Sequence, residues 1–494
     1  MNENVYALFE TRFRTDRDAI CLYVPDGEDW RYGDLVAQVS RAAGALVNLG
    51  VRPGGRVVTQ TEKTPQALAL YLGCLKVGAV YVPLNTAYTA VEMEYFLSDA
   101  EPALLVCDTS QRVECAVPTE TLDASGGGSF AERMNAAHAL EPTVSRAADD
   151  VAAIVYTSGT TGRPKGAMLT HRNLESNART LCDAWGWRSD DVLLHALPIF
   201  HVHGLFVALH CVFLGGGSMV FLPRFDADAV IEHLPSSTVM MGVPTFYTRL
   251  LGHNAFTGDV CRAMRLFISG SAPLAAQTFA DFEARTGHRI LERYGMSETL
   301  MNTSNPLAGE RTGGTVGFAL PGTEARIADG DRVLGEGEIG EIEVRGPNVF
   351  KGYWRMPDKT AEEFRRDGFF RTGDLGVMDS EGRVSIAGRT KDLIISGGYN
   401  VYPKEVETLI DEMPEVSESA VIGVPHPDFG EGVVAVVVPR HEPVDAAMVE
   451  AALKDRLARF KQPKRVVCMV GLPRNVMGKV QKNALRERFA DLFA

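Results

Sequence analysis

Between residues 30 and 110 the chain alternates helical patterns with short apolar runs, and few folds accommodate that rhythm. Arg56-Val-Val-Thr reads as a strand, Ala67 to Val77 as a helix and Val80-Tyr-Val-Pro as a second strand. Strand, helix and strand in close succession predict a parallel sheet covered by helices, because parallel neighbours need a crossover. Ala152-Ala-Ile-Val-Tyr adds another buried strand, and Ala124-Ser-Gly-Gly-Gly-Ser reads as a surface loop. From about Gly313 to Gly352 the rhythm changes to short strands with Gly/Pro turns, as in Gly340-Glu-Ile-Glu-Val-Arg-Gly, which predicts a small β-rich subdomain. After Gly388-Arg-Thr-Lys-Asp the pattern predicts helices near Pro403–Met413 and Ala446–Phe460, with strands at Val433–Val438 and Arg465–Val470. The expected class is α/β: an N-terminal domain of residues 1–390 with that subdomain, then a mobile α+β C-terminal lid of residues 391–494.

With 50 basic and 63 acidic residues the net charge is −13, which argues against a general role on nucleic acid or anionic membrane. Eight cysteines are scattered from Cys21 to Cys468 without a CxxC pair, so reduced structural thiols are expected rather than zinc or disulfides. The N-terminus lacks a basic segment followed by an apolar one, and no run reaches roughly 18 apolar residues. A cytoplasmic protein is expected.

The most informative segment is Thr157-Ser-Gly-Thr-Thr-Gly-Arg-Pro-Lys-Gly166, directly after the strand at Ala152. Its glycines let backbone approach a phosphate, its hydroxyls donate, and Lys165 supplies a point charge. It is not a Walker A loop, because Gly162 is followed by Arg-Pro-Lys rather than Lys-Ser/Thr.

This loop resembles the phosphate loop of the acyl-adenylate-forming enzymes, a family of acyl-CoA synthetases, peptide-synthetase adenylation domains and beetle luciferases. Tyr294-Gly-Met-Ser-Glu-Thr299, Arg371-Thr-Gly-Asp-Leu375, the Gly388–Pro403 segment and Pro473-Arg-Asn-Val-Met-Gly-Lys-Val-Gln-Lys482 match four further signatures in family order. The resemblance implies ATP, Mg2+ and coenzyme A, with an acid first adenylated and then passed to a thiol. ATP contacts are then expected at Thr157, Ser158, Gly159, Thr160, Thr161, Gly162 and Lys165. The loop Ser269–Pro273 adds Gly270, Ser271 and Ala272, and the second signature adds Glu292, Tyr294, Gly295, Met296, Ser297 and Thr299. Glu298 is the implied magnesium ligand, Tyr294 the adenine platform, and Asp374 with Arg389 the ribose contacts. Lys479 is the implied catalytic lysine, bridging the substrate carboxylate and a phosphate oxygen, where cationic stabilisation is needed. Lys391 takes the hinge position, and Gly397 with Gly398 suits a pantetheine tunnel.

Only fifteen residues follow Lys479 and no carrier module is attached, so a free thiol, coenzyme A, is the expected acceptor. For the acid, a short diacid needs a fixed cation, and arginine's planar fork suits a carboxylate. Met241-Gly-Val-Pro-Thr-Phe-Tyr-Thr-Arg249 places Thr245 and Arg249 on one face of a helix starting at Pro244. Arg249, His201 and Ser271 are the expected carboxylate contacts, with the polar run Met301-Asn-Thr-Ser-Asn-Pro306 alongside. His203 and His210 read as packing histidines. This constellation resembles the malonyl-CoA synthetase branch, implying ligation of malonate or methylmalonate; the alternative within the family is an aryl- or medium-chain acyl-CoA ligase. A luciferase-like oxygenase would need an apolar pocket, and a non-catalytic nucleotide sensor would not need Lys479.

Overall fold

A computed structural model describes residues 2–25, 27–111, 115–157, 164–440, 444–454, 456–475 and 478–493. Among them a six-stranded sheet runs in the order Thr119–Thr121, Leu104–Cys107, Arg56–Gln60, Val80–Pro83, Val151–Thr157, Lys165–Thr170. All its neighbours are parallel except the last pair. A nine-stranded sheet has Leu291–Met296, Leu266–Ser269, Val239–Gly242, Val192–His195 and Ser218–Phe221 at its parallel centre. Helices lie between the two sheets. The helix Pro65–Lys76 starts at Thr64, whose hydroxyl accepts from the Ala67 amide, and every residue from Ala67 to Lys76 is buried. A helix buried all round needs an apolar surface all round, which Ala-Leu-Ala-Leu-Tyr-Leu-Gly-Cys-Leu supplies. Its one charge, Lys76, pairs with Glu10 at 3.0 Å.

The strands Val151–Thr157 and Lys165–Thr170 are antiparallel, with Thr157 opposite Lys165. The glycine-rich segment therefore links two strands of one sheet, and the helix begins only at His171.

The β-rich subdomain is larger than the sequence suggests. Its five strands, Arg332–Val333, Glu324–Asp329, Gly340–Arg345, Phe370–Met378 and Val384–Arg389, extend well past Gly352. The chain leaves this sheet for the helix Pro357–Glu363 and then returns, so a local reading of alternation loses the second half.

From Ile394 onward a five-stranded sheet is built on Val416–His426 and Gly430–Pro439. Its central strands alternate cleanly: Val433, Ala435 and Val437 pack with Val406, Ile410 and Val449 of two helices. Val434, Val436 and Val438 face the other way, toward Leu485 in the last helix. The helix predicted over Ala446–Phe460 ends at Leu453. Between this unit and the body lies a short turn, Thr390–Asp392. No helix among the described residues is long and apolar enough to cross a membrane. Cys21, Cys74, Cys115, Cys182, Cys211, Cys261 and Cys468 are free thiols.

Candidate active site

A cavity of about 880 Å3 opens where strand ends of the two large sheets, the five-stranded sheet and the lid meet. Lys165, the first residue of its strand, is buried on one wall; its ammonium lies 4.1 Å from the Tyr353 ring centroid and 3.5 Å from Glu363. Glu298 sits in the turn between Leu291–Met296 and Leu300–Ser304 and is 5% exposed. Thr157 and Tyr353 donate hydroxyls to its Oε1 at 3.2 and 3.1 Å. Burial raises the Glu298 carboxyl, with these donors and nearby Lys165 opposing. A single buried carboxylate is the kind of hard oxygen ligand Mg2+ takes when phosphates and water supply the rest.

The facing wall carries Asp374 and Arg389, register partners on adjacent antiparallel strands, with Arg389 Nε 2.9 Å from Asp374 Oδ1. The other oxygen of Asp374 accepts from Tyr294 at 2.6 Å. From the lid, Lys479 and Lys391 complete this wall. Burial, together with the Arg389 charge, pulls the Lys479 ammonium down to about 8. Its backbone is held at two points: the Lys479 amide donates to Asn475 Oδ1 at 3.0 Å, and the Asn475 amide donates back to the Lys479 carbonyl.

A second cavity, of about 510 Å3, adjoins the first; Ser271, Ala272, Pro273, Tyr294, Gly295 and Glu292 line one side and the lid the other. Tyr294 is thus placed to flank a base as well as to hold Asp374. Ser271 has φ +70, a left-handed conformation that non-glycine residues adopt at a cost. Glu292 accepts from the Leu274 amide through Oε1, while Oε2 has no partner among the described residues; burial raises this carboxyl to about 8.

His201, His203, Ser271, Met301 and Arg293 also line the first cavity. Arg293 is 2% exposed, and its Nε and Nη2 have no hydrogen-bond partner among the described residues. Burial lowers the guanidinium to about 9, so it stays charged at neutral pH with its donors unspent. Burial, then the charges of Arg293 and Lys479, lower His201 to about 4. His203, lowered too by burial, lies 3.3 Å through Nδ1 from Ser271 Oγ. Both imidazoles are neutral beside a cation.

Several expectations need correction. Arg249 does not face this cavity: Tyr247 and Leu250 bury the inner face of Pro244–Leu251, and Arg249 lies exposed on the outer face, lining the second cavity. Its helical neighbour Thr245 lies against lid residue Gly478. Sequence reasoning passed over Arg293 although it directly precedes the second signature; a charged residue amid buried strand positions was the available signal. His203 is not merely a packing residue, whereas His210 is, held by the Tyr71 hydroxyl at 2.7 Å. The polar run after Met301 does not contact the cavity. Asn302 donates to Thr299 Oγ1, Thr303 to the Val316 carbonyl and Asn305 to the Glu292 and Thr315 carbonyls, so these side chains strap backbone together. Thr299 and Gly270 line neither cavity, whereas Met296 and Ser297 line the first. Gly397 and Gly398 form a left-handed turn on the lid, outside both cavities. Ser158, Gly159, Thr160, Thr161 and Gly162 lie outside the described residues.

The AMP-binding enzyme family matches residues 9–354, and the AMP-binding enzyme C-terminal domain matches residues 405–479. A malonate–CoA ligase of Arabidopsis thaliana is 35% identical, over 94% of this chain and 85% of its own length. The crystal structure of ATP-bound MatB from Rhodopseudomonas palustris is 53% identical over the whole of both chains, with a TM-score of 0.97. Apo MatB from the same organism superposes at 0.85. As a whole, the chain superposes more closely on the ATP-bound relative than on the apo one. With more than half of its length matched by the family and a full-length relative above half identity, the chain belongs to the AMP-binding enzyme family.

Proposed function

We infer that this protein is an acid–thiol ligase that joins a short dicarboxylic acid, malonate or its methyl derivative, to coenzyme A through an acyl-adenylate. The observation that carries the choice of acid is the buried Arg293 guanidinium lining the cavity, whose Nε and Nη2 have no partner among the described residues. A buried cation without a partner is costly, and a distal carboxylate supplies that partner. Aryl and medium-chain acids would leave it unpaired. The names of the malonate–CoA ligase and of MatB support the same reading.

In this reading residues 1–390 form the body and 391–494 the lid that turns about Lys391. Arg293, with Ser271 and the neutral imidazole of His201, holds the distal carboxylate, so the other carboxylate points along the cavity toward Lys479. Asp374 and Arg389 hold the ribose, and Glu292 Oε2 faces the base. Lys165 neutralises the polyphosphate. Glu298 would hold Mg2+, which supplies charge neutralisation between phosphate oxygens. Lys479 approaches the meeting point of carboxylate and α-phosphate, where its ammonium stabilises the crowded negative charge. After pyrophosphate leaves, rotation of the lid would bring Gly397-Gly398 to the site for the thiol.

The direct test is acid-dependent AMP release with coenzyme A, compared across malonate, methylmalonate, acetate, benzoate and octanoate. The expected result is turnover confined to the diacids. Preference for benzoate or octanoate would overturn the substrate assignment.

A further inference from the structure

Tyr353 has no part in binding acid, base or ribose, yet it touches two charged groups on which adenylation depends. Its hydroxyl donates to Glu298 Oε1 at 3.1 Å, and the face of its ring lies 4.1 Å from the Lys165 ammonium. The side chain is 4% exposed and borders the first cavity. It is also held rigidly. Tyr353 bridges Ala167 in the strand that Lys165 begins, and the next amide, of Trp354, donates to the Gly166 carbonyl at 2.7 Å. The Tyr353 amide donates to Thr360 Oγ1 at 2.9 Å, and Phe350 abuts the ring edge-on at 4.8 Å between centroids.

One immobile side chain therefore sets the spacing between an anion and a cation. Without the ring, Lys165 keeps the Glu363 carboxylate, 3.5 Å away. Without the hydroxyl, Glu298 Oε1 keeps, among the described residues, the Thr157 hydroxyl. Groups that orient a metal-binding carboxylate commonly set metal affinity as strongly as the ligand does. A cation over a desolvated aromatic face is held without being neutralised, so its charge remains available to a phosphate.

We propose that Tyr353 is a positioning residue for the first half-reaction. Its hydroxyl aims Glu298 at the divalent cation, and its ring holds Lys165 toward the polyphosphate. The proposal rests on the acyl-adenylate reading of the site and adds a residue to it.

Tyr353→Phe keeps the ring and removes the hydroxyl; Tyr353→Leu removes both. Mn2+ binding to the full-length protein with ATP, without acid or coenzyme A, is read by electron paramagnetic resonance. Tyr353→Phe should weaken Mn2+ by roughly 10- to 100-fold. Its affinity for metal-free ATP should stay near that of the wild type. Tyr353→Leu should lose affinity for both. Acid-dependent pyrophosphate exchange by Tyr353→Phe should recover at high Mg2+, which a general packing defect would not do. Wild-type Mn2+ affinity in Tyr353→Phe overturns the proposal, as does a loss that excess Mg2+ cannot rescue. If Tyr353→Leu does not fold, the Phe variant decides alone. Absence of acid-dependent exchange in the wild type would instead overturn the ligase reading, and Mn2+ binding would still judge Tyr353.

Discussion

Gly270 is bare where the guanidinium of Arg293 passes: a β-carbon on Gly270 would lie 2.5 Å from Arg293 Cζ. The glycine does not serve the backbone's conformational freedom, because its φ is not left-handed. It makes room for a charged side chain. The loop Ser269–Pro273 and the strand Leu291–Met296 are thereby matched, one carrying the arginine and the other yielding the space.

Arg293→Ala should leave the distal carboxylate of malonate desolvated and unpaired. Loss of one partner of such a pair costs about 2–5 kcal/mol, or roughly tens- to thousands-fold in kcat/KM. Butyrate has no distal charge and should hold its rate or gain. Gly270→Ala should shift the two acids in the same direction by less, since it displaces the guanidinium without deleting it. Kinetics on both acids decide; equal losses on malonate and butyrate would rule out a carboxylate role for Arg293.

Arg249→Ala should behave differently. Because Arg249 is exposed and faces the second cavity, its loss should change both acids alike, by no more than about 0.5 kcal/mol. A selective collapse of malonate turnover would return the carboxylate role to Arg249.

Lys479→Ala should abolish most adenylation yet spare thioester formation from supplied acyl-adenylate, measured as two separate half-reactions. The same lysine has a pH signature. An ordinary lysine releases its proton near 10.5, whereas Lys479 does so at about 8. The neutral, nucleophilic amine therefore grows as pH rises through about 8, where roughly half is present. Site-resolved labelling by an amine-directed reagent should show that midpoint, and ATP should protect. A midpoint above 10 would contradict the burial described here.

Lys391→Pro tests the turn between body and lid. Asp392 is tied to the lid by Arg486 at 2.7 Å, so the proposed pivot falls at or before Lys391. Fixing φ near −65° there should slow thiol transfer far more than adenylate formation. Single-turnover rates for the two steps provide the measurement, and an unchanged thiol step would move the pivot elsewhere.

Local signals in the sequence carried much of this. Lys165, Glu298, Asp374, Arg389 and Lys479 stand far apart in the chain, each in its own signature, and all five line one cavity. What local patterns could not reveal was direction. Arg293 is flanked by Glu292 and Tyr294, and its facing depends on how that strand registers with Leu300–Ser304 and on the missing side chain at Gly270. Asn302, Thr303 and Asn305 suggested a polar pocket because composition does not reveal that their donors are already used, Asn302 on the Thr299 hydroxyl and the other two on backbone carbonyls. Tyr353 lies in no acidic or glycine-rich pattern, and only the pairing with Ala167 brings it to Glu298.

The separate cores on the two faces of the lid sheet have a thermal consequence. Ile394, Val421 and Val433 on one face, and Ile422, Val436 and Leu485 on the other, share no buried cluster with the body. Such a chain contains two cooperative units, and heat can melt the smaller while the larger stays native. A ligand gripped by both Asp374 and Lys479 couples them, because either unit must release it to unfold. Calorimetry of the free protein should then resolve two transitions that draw together as ATP is added.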